Sequence, residues 1–233
     1  MCYLLIKNRV LQVVGENKGA GQGPGGVFLE LHYMPCLEYF SLLSQYSELV
    51  LNAGETFQKQ SYRNRSYMKG PNKVQILSVP IDGGTRRGNI RDVKINYAEN
   101  WHLEHLQSLR SAYGKAPYFE YYFEYFEQLL SKKRQFLWDL NLEILTLCLN
   151  LLNFDIKISE SHNSLLNLAE ADNRYYGLIN RKTSFLDRNI YQKVVYQQLF
   201  GNDFVPNLSI IDLLFCEGPN AGSIIGQSTI KCF

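Results

Sequence analysis

Hydrophobic positions come first in short continuous runs and later in helical spacing, and the change falls near residue 100. VFLELHY at 27–33 reads as a buried strand and ELVLNA at 48–53 as a second. Between them Pro35 opens a helix, LEYFSLLSQY, with Leu37, Phe40, Leu42 and Leu43 on one face. That spacing suits a parallel βαβ unit with the loop at Tyr33–Cys36 on the carboxyl edge of the sheet. SYRNRSYM and VQILSVPI, joined by the turn signal KGPNK, predict a hairpin, and the alternating RDVKINY at 91–97 predicts another strand.

From Trp101 the pattern becomes helical. ENWHLEHLQSLRSAYG ends on Gly114, PYFEYYFEYFEQLLSKK starts at Pro117, and a third helix spans Phe136–Leu152. FDIKIS at 154–159 predicts a strand, Ser161–Ala171 a short helix, and LSIIDLLFCEG at 208–218 a final helix ending on Gly218. Arg174–Asn207 is polar and weakly patterned, so irregular structure is expected there. The implied fold class is α/β: an N-terminal βαβ, Rossmann-like sheet with a hairpin, then a mainly helical C-terminal half. The Gly-rich stretch Gly15–Gly26 marks residues 1–26 as a flexible extension. Its G-x-G-x-x-G spacing, Gly21–Gly23–Gly26, precedes a strand instead of joining strand to helix, which is the wrong context for a dinucleotide site.

Bulk composition excludes more than it identifies. At 233 residues, with 45% hydrophobic and 20% charged positions, the chain supports a sizeable core. A net charge of +2 from 24 basic and 22 acidic residues argues against non-specific nucleic-acid binding. Five cysteines without C-x-x-C, and four histidines without zinc spacing, indicate a reduced, cytoplasmic protein and no metal site. No run reaches membrane-spanning length, since Asn141, Glu143, Thr146 and Asn150 interrupt Leu140–Leu152.

The chemistry concentrates in FQKQSYRNR at Phe57–Arg65. On a strand, Arg63 and Arg65 share one face and make a bidentate clamp for phosphate or carboxylate, with Asn64 on the other face. Lys59 adds a point charge, and Gln58 adds an amide. A solvated basic edge strand explains the charge equally simply, though it has no need of amides and aromatics. Trp101 and His105, four apart on a helix, share a face. His105 suits a general acid or base, or a satisfied packing histidine. Cys36 at a helix start suggests a nucleophile, against the commoner buried thiol. Tyr39 and Glu38 fall in that helix's first turn. Asp212, alone on an apolar helix, requires a partner such as arginine or has a functional role. The aromatic stripe at 118–126 exceeds one buried face and suggests a groove or a second subunit.

Taken in order, HYMPCLEYF, FQKQSYRNR, NWHLEH with SAYGKAPYFEYY, FLWDLNLEILTLCL and FVPNLSIIDLLFCEGPNA resemble the WbqC-like protein family from Val27 to Ala221. The resemblance implies one domain over 27–221, with 222–233 as a tail. It associates the chain with O-antigen and related surface-polysaccharide gene clusters, and it brings no established catalytic set or cofactor. The matching positions imply a site drawn from Tyr33, Pro35, Tyr39, Gln58, Lys59, Arg63, Asn64, Arg65, Trp101, His105, Tyr113, Ser209 and Asp212. Of these, His105 and Asp212 are the catalytic candidates and the others, apart from Pro35, hold ligand. The expected activity is that of a transferase on a phosphate-bearing substrate such as a nucleotide sugar, moving an acyl or aminoacyl group to an amino sugar. The alternative is a non-catalytic binding or scaffold protein of a polysaccharide or envelope assembly system, with homo-oligomers compatible with either.

Overall fold

The computed structural model describes residues 25–85, 87–162 and 171–231. Its centre is a sheet of four parallel strands in the order β5-β2-β1-β6: β1 (Gly26–Leu29), β2 (Glu48–Asn52), β5 (Lys157–Ser161) and β6 (Ala171–Asp172). β1 pairs in register with β2 from Gly26↔Glu48 to Leu29↔Leu51, and β2 continues the ladder to β5. The first crossover carries α1 (Leu37–Leu43), every residue of which is buried. The expected βαβ unit is therefore present. β1 is shorter than the apolar run VFLELHY because the chain leaves the sheet after Leu29. By Tyr33 its backbone N–H donates to the Tyr62 carbonyl at 2.8 Å.

The parallel strands, taken in chain order, lie 3-2-1-4 across the sheet, so the winding reverses between β1 and β6. At such a reversal the loops leaving the carboxyl ends of two neighbouring strands part and form a crevice. The loop after β1 starts at Glu30, and the segment after β6 begins at Asn173.

β3 (Arg65–Lys69) and β4 (Val74–Ser78) form the expected antiparallel hairpin. Its turn is closed by the Gly70 N–H on the Lys73 carbonyl at 3.0 Å. The helical half contains α2 (Trp101–Tyr113), α3 (Phe119–Ser131), α4 (Leu137–Leu151) and α5 (Ile210–Glu217). On α3, Phe119, Phe123 and Phe126 turn inward, with Phe119 and Phe126 meeting Phe215 of α5 at ring distances of 5.2 and 5.8 Å. Tyr121 on the opposite side is 70% exposed.

Several expectations are corrected. The segment 91–97 is not a strand: Ile90–Asp92 is a 3-10 turn, and beyond it only isolated bridges form, Lys94 to Phe136 and Ile95 to Ile81. Alternation alone gave those residues no continuous partner strand. Beyond Ala221, where a tail is expected, Ala221–Ser228 form α6, which packs against α1. The predicted helix Ser161–Ala171 falls mostly outside the described residues, and its two ends belong to β5 and β6. Of the N-terminal extension, only Gly25 and Gly26 are described. Arg174–Asn207 is irregular as expected, apart from a 3-10 turn at Phe185–Asp187. Among the described residues, no helix is long and apolar enough to cross a membrane.

Candidate functional site

FQKQSYRNR does not run straight into the hairpin. Gln60 has φ +57°, and the N–H groups of Asn64 and Arg65 both donate to the Ser61 carbonyl, at 3.3 and 3.1 Å. This closes a turn, and β3 begins only at Arg65. Arg63 and Arg65 therefore do not form a clamp on one strand face. Gln58 and Lys59 stay exposed in the preceding loop. Arg63 turns inward and is only 4% exposed.

What Arg63 meets is a pair of carboxylates at the carboxyl edge of the sheet. Its Nε donates to Glu55 Oε1 at 2.8 Å, and a terminal nitrogen makes a still closer contact with Glu55 Oε2, giving a bidentate pair. The same terminal nitrogen reaches Glu30 Oε1 at 3.4 Å. Tyr176, just past β6, donates its hydroxyl to Glu55 Oε2 at 2.9 Å and accepts from Asn52 Nδ2 at 2.9 Å. Tyr39 donates to the Glu30 carbonyl at 2.9 Å. From α4, Asn141 Nδ2 donates to the Arg63 carbonyl at 2.7 Å. Burial raises the Glu30 carboxyl above its ordinary range, against the pull of Arg63. His32 is fully buried; burial and then the Arg63 charge hold its ring well below the usual imidazole range.

A second group joins the hairpin to α2. The Tyr33 hydroxyl lies 2.9 Å from His105 Nδ1, and the His105 ring meets Trp101 edge-on at 5.0 Å. Ser78, which also interacts with His105 through its backbone, sits opposite Arg65 in the hairpin. Asn64 is tied to Val79 in both directions, by Nδ2 to the Val79 carbonyl at 3.0 Å and by its own carbonyl from the Val79 N–H at 2.9 Å. Tyr33, Asn64, Arg65, Trp101 and His105 thus gather around the end of β4. Within this group Asn64 Oδ1, Arg65 Nε and Trp101 Nε1 are buried atoms without a hydrogen-bond partner. Burial depresses His105 to about 4, so the imidazole is neutral at physiological pH.

Asp212 and Tyr113 meet in a third place. Asp212 is wholly buried and accepts from Tyr113 at 2.8 Å, from Tyr196 at 2.5 Å and from Gln198 Nε2 at 3.0 Å. Lys69 completes the cluster through Gln198 Oε1 at 3.1 Å and the Asp203 carbonyl at 2.7 Å. The anticipated arginine partner is replaced by two phenols, an amide and a nearby ammonium. Burial raises the Asp212 carboxyl, while those hydrogen bonds oppose the rise. Such a saturated centre pins the irregular 196–205 stretch to α5 and the hairpin.

The remaining candidates are held by structural contacts. Ser209 caps α5, accepting from the Ile211 N–H at 3.4 Å and donating to the Met34 carbonyl at 3.0 Å. Glu38 is locked bidentately by Arg188 at 2.7 and 2.6 Å. The Cys36 thiol is buried and pushed up to about 12 by burial and then the Glu38 charge, so it is no nucleophile. A surface recess of about 290 Å³, lined by Lys73–Leu77 and Ser108, contains none of the candidate residues. Among the described residues no group of three or more His, Cys, Asp or Glu is placed to hold a metal ion.

Glu30, His32, Asn52, Glu55, Tyr176 and the Tyr196–Gln198–Lys69 group are missing from the sequence-based candidates. A glutamate and a histidine inside the apolar run VFLELHY were the available signal, since buried charges require partners.

Family comparison matches residues 31–185 and 169–224 to the WbqC-like protein family. The chain belongs to the WbqC-like family. Among curated proteins it is similar to uncharacterized protein Rv1507c of Mycobacterium tuberculosis (strain ATCC 25618 / H37Rv). Identity is 24% over 220 residues, covering 83% of this chain and 94% of that protein. No solved structure matches. The residues matched to the WbqC-like family contain all three polar groups except Glu30, which lies one position before the matched segment.

Proposed function

We propose that the protein is a cytoplasmic enzyme of O-antigen or related surface-polysaccharide biosynthesis. It acts on a phosphate-bearing substrate such as a nucleotide sugar and transfers an acyl or aminoacyl group to an amino sugar. The observation that carries this reading is the convergence of Tyr33, Asn64, Arg65, Trp101 and His105, with polar atoms of Asn64, Arg65 and Trp101 left unpartnered in a buried setting. Buried donors and acceptors without partners are costly, and a ligand that supplies their hydrogen bonds recovers that cost. Arg65 and the exposed Lys59 are the phosphate contacts. His105 supplies a neutral imidazole on the inner wall as the base.

Titration calorimetry and thermal-shift measurements with uridine and thymidine diphosphate sugars and with ATP test the proposal. Stabilisation by one of them that disappears in Arg65→Ala is expected; no binding at millimolar ligand by a folded sample overturns it. The exposed Tyr121, beside the partly buried Tyr118 and Tyr122 on the outer side of α3, favours a second reading as a non-catalytic scaffold or a homo-oligomer. That reading requires a concentration-dependent rise in mass, or a captured assembly partner, that Tyr121→Ser abolishes.

A further inference from the structure

The carboxyl-edge cluster contains two carboxylates and one guanidinium. Arg63 is committed to Glu55 through two nitrogens, while Glu30 receives from it only a long 3.4 Å contact, and its remaining partners are the neutral backbone N–H groups of Glu30 itself and Gly177. Glu30 is at least as buried as Arg63, so its ionised form leaves an excess negative charge in the interior. A buried charge of this kind is relieved by a proton or by a cation. A second observation comes from His32, two residues on, whose fully buried ring lies beside the Arg63 guanidinium and whose Nδ1 has no hydrogen-bond partner. Its ring is clasped by Tyr39 and Tyr62 at 5.0 and 5.3 Å and is not free to turn toward solvent. The place also fits: it is the crevice where the winding reverses between β1 and β6.

We propose that this edge is a binding site for the primary ammonium group of an amine-bearing ligand, with the Glu30 carboxylate as its counter-ion and His32 Nδ1 as a second hydrogen-bond partner. Glu55 and Arg63 form the rear wall, and Tyr39 holds the Glu30 backbone. Tyr176 and Gly177, from the segment after β6, cover the front; Tyr176 bonds Glu55, and Gly177 adopts φ +76° against the Glu30 carboxylate. A ligand enters by displacing that short segment. Tyr176 then exchanges its bond to Glu55 for water, and the ligand's ammonium takes the place of the Gly177 backbone N–H on Glu30.

This site is separate from the nucleotide contacts at Arg65, so the two proposals fail separately. The test uses the full-length wild-type protein with glucosamine as probe, and glucose and N-acetylglucosamine as controls carrying the same ring without the ammonium. Millimolar glucosamine is expected to raise the thermal midpoint by several degrees, and neither control is expected to do so. Glu30→Gln removes the glucosamine response while leaving any uridine diphosphate response intact. Equal shifts from all three sugars, or none from glucosamine in a folded wild-type sample, overturn the ammonium site. Should Glu30→Gln not fold, His32→Phe serves as the second variant, with at least a tenfold loss of glucosamine affinity expected; unchanged affinity overturns the proposal. A uridine diphosphate response without a glucosamine response overturns this site and leaves the nucleotide reading standing.

Discussion

The Arg63 guanidinium faces the Glu55 carboxylate edge to edge, with Nε 2.8 Å from Oε1 and a terminal nitrogen on Oε2, inside a site closed to solvent. Removing one member of a buried pair strands the other charge, at a cost of about 3–5 kcal/mol. Arg63→Ala is therefore expected to lower unfolding stability by that amount in urea titrations. Arg65→Ala, at a partly buried position, is expected to change it by less than about 1 kcal/mol. Replacing all three charges, as Arg63→Met with Glu30→Gln and Glu55→Gln, should recover much of the loss. Two arginines with equal stability effects would place Arg63 outside the ion cluster.

Much of the architecture follows from local pattern. The βαβ unit, the hairpin with its KGPNK turn, and the helices starting near Trp101, Phe119 and Leu137 all come from periodicity and Pro/Gly punctuation. The site is less legible because its pairings are long-range. Nothing near Asp212 in sequence announces Tyr113, 99 residues away, although both are among the candidates. Arg63 is misplaced for a local reason: the left-handed Gln60 and the turn on the Ser61 carbonyl rotate it off the strand. Glu30 and His32 are hidden within an apolar run whose average character outweighs its two polar members.

His105 makes stability depend on pH on the acid side. Burial depresses its folded pKa to about 4, below the ordinary imidazole value of about 6.5, so the unfolded chain binds more protons between those values. The contribution is fully present above pH 6.5 and is lost as pH falls toward 4, amounting to about 3 kcal/mol. His32, also depressed, acts in the same direction, whereas the raised carboxyls of Glu30 and Asp212 act in the opposite one. The difference between proteins isolates the effect: His105→Gln, which keeps an acceptor for Tyr33, should flatten the urea-midpoint profile between pH 4 and 6.5. Parallel profiles for wild type and variant would contradict a buried neutral His105.

Asp212 is the acceptor on which Tyr113, Tyr196 and Gln198 converge. Asp212→Ala leaves the buried Tyr113 and Tyr196 hydroxyls unmet and Gln198 Nε2 with its Val205 bond, each unmet hydroxyl costing about 1–3 kcal/mol, so a loss of about 2–6 kcal/mol is expected. Asp212→Asn retains one acceptor oxygen and should lose less. Because Tyr196 and Gln198 belong to the irregular segment, cleavage between 196 and 205 by limited proteolysis should accelerate in Asp212→Ala. An accelerated cut elsewhere, with 196–205 still protected, would show that Asp212 does not anchor it.

Gly218 ends α5 at φ +53°, ψ −123°, a conformation that a side chain strains. A Cβ at this position would also lie 2.4 Å from ring atoms of Tyr118, whose N–H is held by the Phe215 carbonyl at 3.0 Å. The Tyr118 ring cannot withdraw without loosening the start of α3 from the end of α5. Gly218→Ala therefore combines backbone strain with overpacking, about 1–3 kcal/mol from each. Gly226→Ala is the control: it lies within α6 with open space at its Cβ position, so the substitution should be neutral or stabilising by up to about 1 kcal/mol. Thermal midpoints that fall for Gly218→Ala and hold or rise for Gly226→Ala are expected. Equal midpoints would mean that the α5–α3 junction is looser than the Tyr118 contact requires.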